Sequence, residues 1–149
     1  MADGAVQPTG DDMDLLLTDE QRMLQDSAET LVERHAGPAR VRALRGKDDG
    51  FERETWRAVA EAGWPAILVP EEAGGLGLGM TELCLVLEAG GRGLMMTPVA
   101  AVATAAAAIA EADESTERDA LLESVLAGES VILPAIQERA YGPGAPETA

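Results

Sequence analysis

The first half of the chain opens with apolar residues at helical spacing. Leu24, Ala28, Leu31 and Val32 follow the i, i+4, i+7, i+8 pattern of a single helix face. Thr18 and Gln21 stand three residues apart, which is the spacing of a capping box, so the pattern predicts a helix over 19–35. Gly37-Pro38 ends this helix, because proline cannot continue the backbone hydrogen-bond ladder.

The same kind of pattern predicts four more helices, over 52–62, 80–89, 99–112 and the stretch between Ser115 and Gly128. Gly63 stands where a left-handed C-cap residue is expected. Residues 83–87 are apolar on every side, which is typical of a helix buried at the centre of a bundle. In the last helix, the expected buried stripe consists of Leu121, Leu122, Val125 and Leu126.

Shorter segments connect these helices. A basic segment, 39–45, is predicted to add one or two helical turns, and 71–79 is predicted to be a flexible glycine-rich loop. Residues 66–69 form an apolar run that is too short for a helix and is predicted to be extended. Residues 131–133 are the one other β-like run.

Five helices with almost no strand predict an all-α bundle of five to six helices with short connections. We place this domain at 15–138. The remaining segments, 1–14 and 139–149, mix Gly, Pro and polar residues without a period and are predicted to be disordered tails.

Composition narrows the possible partners. A chain of 149 residues supplies one domain with a substantial core and leaves no room for a second large one. A net charge of −16 argues against binding to nucleic acid or to an anionic membrane surface. The lone cysteine, Cys84, cannot form an intramolecular disulfide, and no secretory or membrane-spanning segment is recognised, so we expect a cytoplasmic protein.

The glycine-rich loop invites comparison with a dinucleotide-binding turn, but its spacing does not fit. Gly75, Gly77 and Gly79 alternate with leucine, which is not the G-x-G-x-x-G pattern. Glu71 and Glu72 would also place two negative charges beside a phosphate. We therefore interpret 71–79 as an Ω-type loop whose glycines permit positive φ.

Other candidate groups receive structural interpretations. His35 lies at a helix C-terminus, where an imidazolium complements the helix dipole, and Cys84 is expected to be an inert core thiol. Glu82 falls in a first helical turn, and Glu88 is expected to pair with Arg92 at i, i+4. No metal-binding constellation is visible. The residues by themselves indicate an acidic helical domain without a self-contained active site.

Several motifs resemble the N-terminal helical domain of acyl-CoA dehydrogenases in order and in spacing. They are the runs Leu17–Arg22, Phe51–Trp56 and Ala62–Gly77, followed by Gly90–Gly93 and Thr97-Pro98 before an alanine-rich helix. The run Val69–Gly77, which reads Val-Pro-Glu-Glu-Ala-Gly-Gly-Leu-Gly, is the most specific part. The resemblance covers about Leu16 to Glu138.

The resemblance implies a flavoenzyme of fatty acid metabolism that uses FAD for α,β-dehydrogenation of an acyl-CoA and passes electrons to an electron-transfer flavoprotein. In that family the catalytic glutamate and most FAD contacts lie in a middle β-domain, a C-terminal bundle and a neighbouring subunit. By this resemblance the sequence reaches about the first strand of the middle domain, so we expect it to lack the catalytic base and not to bind FAD tightly alone. An oligomer is expected.

The same resemblance suggests site residues. The helix after Thr97-Pro98 helps to form the acyl pocket in the family, which makes Met96, Val99, Val102 and Ala103 candidate substrate-binding residues. Ile136 and Gln137 correspond to positions at the flavin edge. Two hypotheses follow: a piece of an acyl-CoA dehydrogenase that works with its remaining domains or a partner subunit, or a free-standing helical protein-interaction module without catalytic activity.

Overall fold

The computed structural model describes residues 16–47 and 50–135. Within them the chain forms the helices α1 Asp19–His35, α2 Pro38–Leu44, α3 Arg53–Glu61, α4 Met80–Arg92, α5 Val99–Ala110 and α6 Thr116–Leu126. Two short 3-10 helices, Trp64–Ala66 and Glu71–Ala73, lie between α3 and α4. The described residues contain no strand, so the prediction of an all-α bundle is confirmed. The predicted tails, 1–14 and 139–149, lie outside the described residues.

Local sequence motifs determine where α1 begins and where it ends. The Thr18 hydroxyl accepts a hydrogen bond from the Gln21 backbone at 3.2 Å, and the Gln21 side chain accepts one from the Thr18 backbone at 3.0 Å. This capping box satisfies N–H groups that have no partner inside the helix. Pro38 then begins α2, which occupies the basic segment as predicted, because proline fits the first turn of a helix.

The predicted extended run at 66–69 is wrong. Trp64-Pro65 starts a 3-10 helix, and Ile67 and Val69 are fully buried without a strand partner. Their backbone carbonyls are instead satisfied by the following loop: the N–H of Leu78 donates to Ile67 at 2.9 Å, and that of Gly77 donates to Val69 at 2.8 Å. An apolar run of this length does not by itself distinguish a strand from a buried turn.

The core lies between α1, α3, α4, α5, α6 and the first 3-10 helix. Its largest buried side chains include Trp56, Ile67, Val86, Val102 and Val125. The indole N–H of Trp56 donates to the buried carbonyl of Gly128 at 2.9 Å, which joins α3 to the end of α6. Burial of this apolar set is the main favourable contribution to folding.

Two predicted core positions are exposed. Cys84 is exposed because it shares the outward face of α4 with Glu88, one helical turn away, while Leu83 and Val86 point inward. On α6 the buried stripe is narrower than predicted, since Leu121 is exposed. The prediction of an inert core thiol at Cys84 is therefore wrong in its placement.

The C-terminal bound of α4 also differs from prediction. Helix α4 continues past Ala89 to Arg92, through Gly90 and Gly91. A side chain at the next glycine, Gly93, would overlap the side chain of Val32 on α1, so a glycine there permits the close approach of the two helices. Residues 131–133 form no strand, and Leu133 is exposed.

Candidate functional site

The connector between α4 and α5, residues 94–98, holds the candidate Met96 and an unusual backbone conformation. Leu94 has φ of +57°, in the left-handed region that residues other than glycine rarely adopt. The N–H of Met95 donates to the Gly90 carbonyl at 2.8 Å, which closes the C-terminus of α4. The connector leaves Met96 44% exposed.

Met96 lies over a small polar cavity at the meeting point of α1, α2 and α3. Its lining includes His35, Arg40, Glu52, Thr55 and Leu94. Arg40 and Glu52 form an ion pair there, and the buried Nδ1 atom of His35 has no hydrogen-bond partner among the described residues. With a volume of about 10 Å³ the cavity has room for a single water at most, so it cannot hold an acyl chain.

The other three candidate substrate-binding residues do not share a surface with Met96. Val99, Val102 and Ala103 are buried in the core cluster together with Trp64 of the first 3-10 helix. The structure therefore separates the four candidates into one outward residue and three interior ones.

The outward face of α5 carries different residues, which the sequence analysis missed. Ala100, Thr104 and Ala108 are exposed and recur every four positions. The Thr104 hydroxyl donates to the Ala100 carbonyl at 2.8 Å, so it is held against the helix. The exposed positions of α5 are those that lie between its buried positions. They are hard to recognise in the sequence, because the two faces of an alanine-rich helix differ little in hydropathy.

The glycine loop, residues 71–79, is tied to the segment before it. Gly75 donates to the Pro70 carbonyl at 2.9 Å, and Leu76 donates to Ala66 at 3.0 Å. A side chain at Gly75 would overlap the backbone of Val69, so glycine is required there. The loop borders a groove of about 410 Å³ that both Glu71 and Glu72 line, a charge that disfavours a phosphate ligand as predicted.

Glu82 links the N-termini of α1 and α4. Its carboxylate accepts from the Gln21 side chain at 2.7 Å and from the Gly79 backbone at 2.9 Å. The hydrogen bond from Gln21, followed by those from backbone N–H groups, lowers the pKa of Glu82 below the ordinary value for glutamate. Glu82 thus has the capping role predicted for it, and its lowered pKa makes the carboxylate a weaker base than an ordinary glutamate.

The described surface also carries two larger grooves. One, of about 510 Å³, lies between α1 and α3 and is lined by residues including Arg34, His35 and Glu61. The other, of about 590 Å³, lies between α6 and the glycine loop. Glu88 pairs with Arg92 at 2.6 Å as predicted, and Arg92 also reaches Glu29 of α1 at 3.3 Å.

Two or more carboxylates line the grooves of about 410 and 590 Å³, which disfavours the diphosphate of FAD there, whereas the groove of about 510 Å³ has both Arg34 and Glu61 in its lining. Ile136 and Gln137, the positions suggested for the flavin edge, lie outside the described residues. Over 16–47 and 50–135 there is no cluster of three or more potential metal ligands. Nor does any helix in that part of the chain have the length and apolar character needed to cross a membrane.

Comparison with known proteins identifies the domain. The family model described as "Acyl-CoA dehydrogenase, N-terminal domain" matches residues 18–129. The acyl-CoA dehydrogenase IpdE2 of Mycobacterium tuberculosis is 37% identical over 105 residues, which is 66% of this chain and 33% of that protein.

Two solved structures share the fold. A variant of the Tcur3481-Tcur3483 steroid ACAD matches with a TM-score of 0.71 and 35% identity, over 81% of this chain and 33% of that one. The ChsE4-ChsE5 complex from Mycobacterium tuberculosis matches with a TM-score of 0.74 and 30% identity, over 88% of this chain and 36% of that one. The chain thus spans about a third of the length of the proteins it matches.

Proposed function

The chain belongs to the acyl-CoA dehydrogenase family, whose N-terminal domain it forms, and on that premise we propose that it works as one part of a flavin-dependent dehydrogenase. The whole enzyme would remove hydrogen from the α and β carbons of an acyl-CoA thioester. The main observation that supports this proposal is the match of the N-terminal domain model to residues 18–129. The all-α fold shared with two related structures supports the same proposal.

In this proposal the described residues shape and cover a site rather than perform the reaction. The hydrogen bond from Gln21 lowers the pKa of Glu82, away from the value that a base acting near neutral pH requires. The catalytic base and most of the flavin site would come from the middle and C-terminal domains or from a partner subunit. FAD, when bound there, would accept the hydride.

The acyl pocket would meet this domain along the outward face of α5. Among the described candidates Met96 is exposed beside that helix, so we expect it to touch a ligand. Val99, Val102 and Ala103 would act indirectly, by fixing α5 against the first 3-10 helix. Ala100 and Thr104 would then form the pocket wall, and their small side chains leave room for a wide acyl group.

We further propose that the acyl group is bulky and ring-bearing. One matched structure is named a steroid ACAD, and the small outward residues of α5 agree with a ligand of that width. An electron-transfer flavoprotein would accept the electrons, as the family resemblance implies. Assembly with a second chain is supported by the two matched structures whose names join two proteins.

The test is to isolate the native assembly that contains this chain from its source cells. We expect visible flavin absorbance and oxidation of a steroid-derived acyl-CoA with an artificial electron acceptor. Ala100→Leu should raise KM at least about fivefold, since three extra carbons in a packed site cost roughly 1–3 kcal/mol. Ala120→Leu, at an exposed position on α6, is the matched control and should leave KM unchanged.

Absence of both flavin and acyl-CoA oxidation from the isolated assembly would overturn this function. The second candidate, an interaction module without catalysis, would then stand. It is favoured by a run of large exposed apolar side chains, Leu76, Leu78 and Met80, at the end of the glycine loop. If that candidate is also wrong, the purified chain should elute as a monomer in size-exclusion chromatography and should bind no hydrophobic dye.

A further inference from the structure

Cations are distributed unevenly along the chain. Five of its 11 Lys and Arg residues lie in residues 34–47, which contain none of its 27 Asp and Glu residues. This basic stretch comprises the C-terminal end of α1, the whole of α2 and the turn after it. Because the whole chain carries a net charge of −16, the remainder of the sequence is strongly acidic.

The cations of the basic stretch are also mostly unpaired. Outside it, three of the five described cations, Arg22, Arg92 and Arg118, form an ion pair with a neighbouring carboxylate, whereas Arg53 and Arg57 form none with a described residue. Within it, Arg40 pairs with Glu52, and the exposed cations are Arg34, Arg42, Arg45 and Lys47. None of these four lies within ion-pair distance of a carboxylate on a described residue.

A complementary surface exists on the same chain. The groove of about 590 Å³ between α6 and the glycine loop has an apolar floor that includes Leu122 and Leu126. Four exposed carboxylates line it: Glu72, Glu114, Asp119 and Glu123. The single cation in its lining, Arg118, is occupied, since its guanidinium donates to the carbonyls of Ile109 and Ala110 and to Asp119.

We propose that the basic stretch of one copy docks into this acidic groove of a second copy. Arg42 and Arg45 would pair with the rim carboxylates, while their methylene stems cover the apolar floor. An extended polyanion such as nucleic acid fits less well, because it would run beyond the basic stretch onto acidic surface. The proposal does not depend on the function proposed above.

Ionic strength gives this contact a distinctive signature. Two copies with a net charge of −16 repel each other at long range, whereas the docking contacts act over a few ångströms. At about 0.15 M salt the Debye length is about 8 Å, so the repulsion is screened more than the contacts are. Association should therefore be weak at very low salt, strongest near physiological salt, and weak again near 1 M.

The experiment is sedimentation velocity of the full chain over a range of protein and salt concentrations. Two double charge reversals test the surfaces: Arg42→Glu with Arg45→Glu on the basic stretch, and Glu72→Arg with Glu123→Arg on the groove. We expect each to raise the dissociation constant for self-association at least about tenfold. A mixture of the two reversed proteins should associate again, because the reversed surfaces complement each other.

A matched control variant shows whether association depends on where the charges are changed or only on the change in net charge. Glu20→Arg with Asp26→Arg, both exposed on α1, changes the net charge by as much as the groove reversal does and should leave association intact. Circular dichroism confirms that every variant is folded. The proposal is overturned if the parent chain is monomeric under all conditions, if the control loses association as the groove reversal does, or if the mixture of folded reversals fails to associate.

Discussion

The glycine loop and the basic stretch both contain glycines at turns, yet the structure constrains them differently. In the glycine loop, the backbone N–H groups of residues 75–78 all donate to carbonyls of residues 66–70. In the basic stretch, Gly37 and Gly46 have positive φ, but a side chain at either would meet no atom within 4 Å. The loop is fixed by tertiary packing, whereas the stretch is shaped by local backbone geometry.

The largest expected loss in the free energy of unfolding is in the glycine loop. Gly75→Ala places a methyl group against the Val69 backbone, and no flexible side chain can move to accommodate it. We expect a loss of about 3–5 kcal/mol in the free energy of unfolding. Gly46→Ala is the matched control and should cost only about 1 kcal/mol, the strain of a left-handed conformation.

Urea unfolding monitored by circular dichroism measures both variants. Equal costs at the two glycines would mean that the packing around Gly75 relaxes and that the loop is not fixed by it.

A smaller loss is expected where the core depends on one hydrogen bond. Trp56→Phe keeps most of the apolar bulk but removes the donor to the Gly128 carbonyl, which is then buried without a partner. The expected cost is about 1–3 kcal/mol. Phe51→Leu, at a half-buried aromatic that makes no such bond, should cost less. A Trp56→Phe protein as stable as the parent would show that water reaches Gly128.

The sequence predicted those elements that local chemistry determines. Thr18 with Gln21, and Ser115 at the start of α6, mark helix starts by side-chain bonds that span three residues, and both were predicted correctly. The run 66–69 could not be assigned in this way, because its buried carbonyls are satisfied by a loop several residues further on.

The candidate site was harder to predict than the fold. Resemblance placed Met96, Val99, Val102 and Ala103 on one helix, but a resemblance does not say which face of that helix is buried. In an alanine-rich helix the two faces differ little in hydropathy, so periodicity could not separate Val102 from Ala100 either. That separation depends on contacts with the first 3-10 helix.

Acid provides a finer test of the glycine loop, because Glu82 joins its last residue to α1. A carboxylate with a lowered pKa in the folded state stabilises above its unfolded pKa, and this contribution disappears as the pH falls through the folded value. Unfolding free energy should therefore decrease below about pH 5, and Glu82→Gln should flatten part of that decrease. Glu88→Gln, whose carboxylate is exposed, is the control. An unchanged acid profile in Glu82→Gln would show that the α1 to α4 link does not depend on charge.

The smallest change in the free energy of unfolding is expected in the basic stretch. It tests most directly whether this stretch contributes less to the stability of the fold than the glycine loop does. Arg42→Ala with Arg45→Ala removes two exposed side chains without described partners, so each should change unfolding free energy by less than about 0.5 kcal/mol. The same pair should weaken self-association. Arg22→Ala with Arg57→Ala, which changes the net charge equally, should not. If the first pair lost stability as well, the cations would be supporting the fold, and the contrast with the glycine loop would fail.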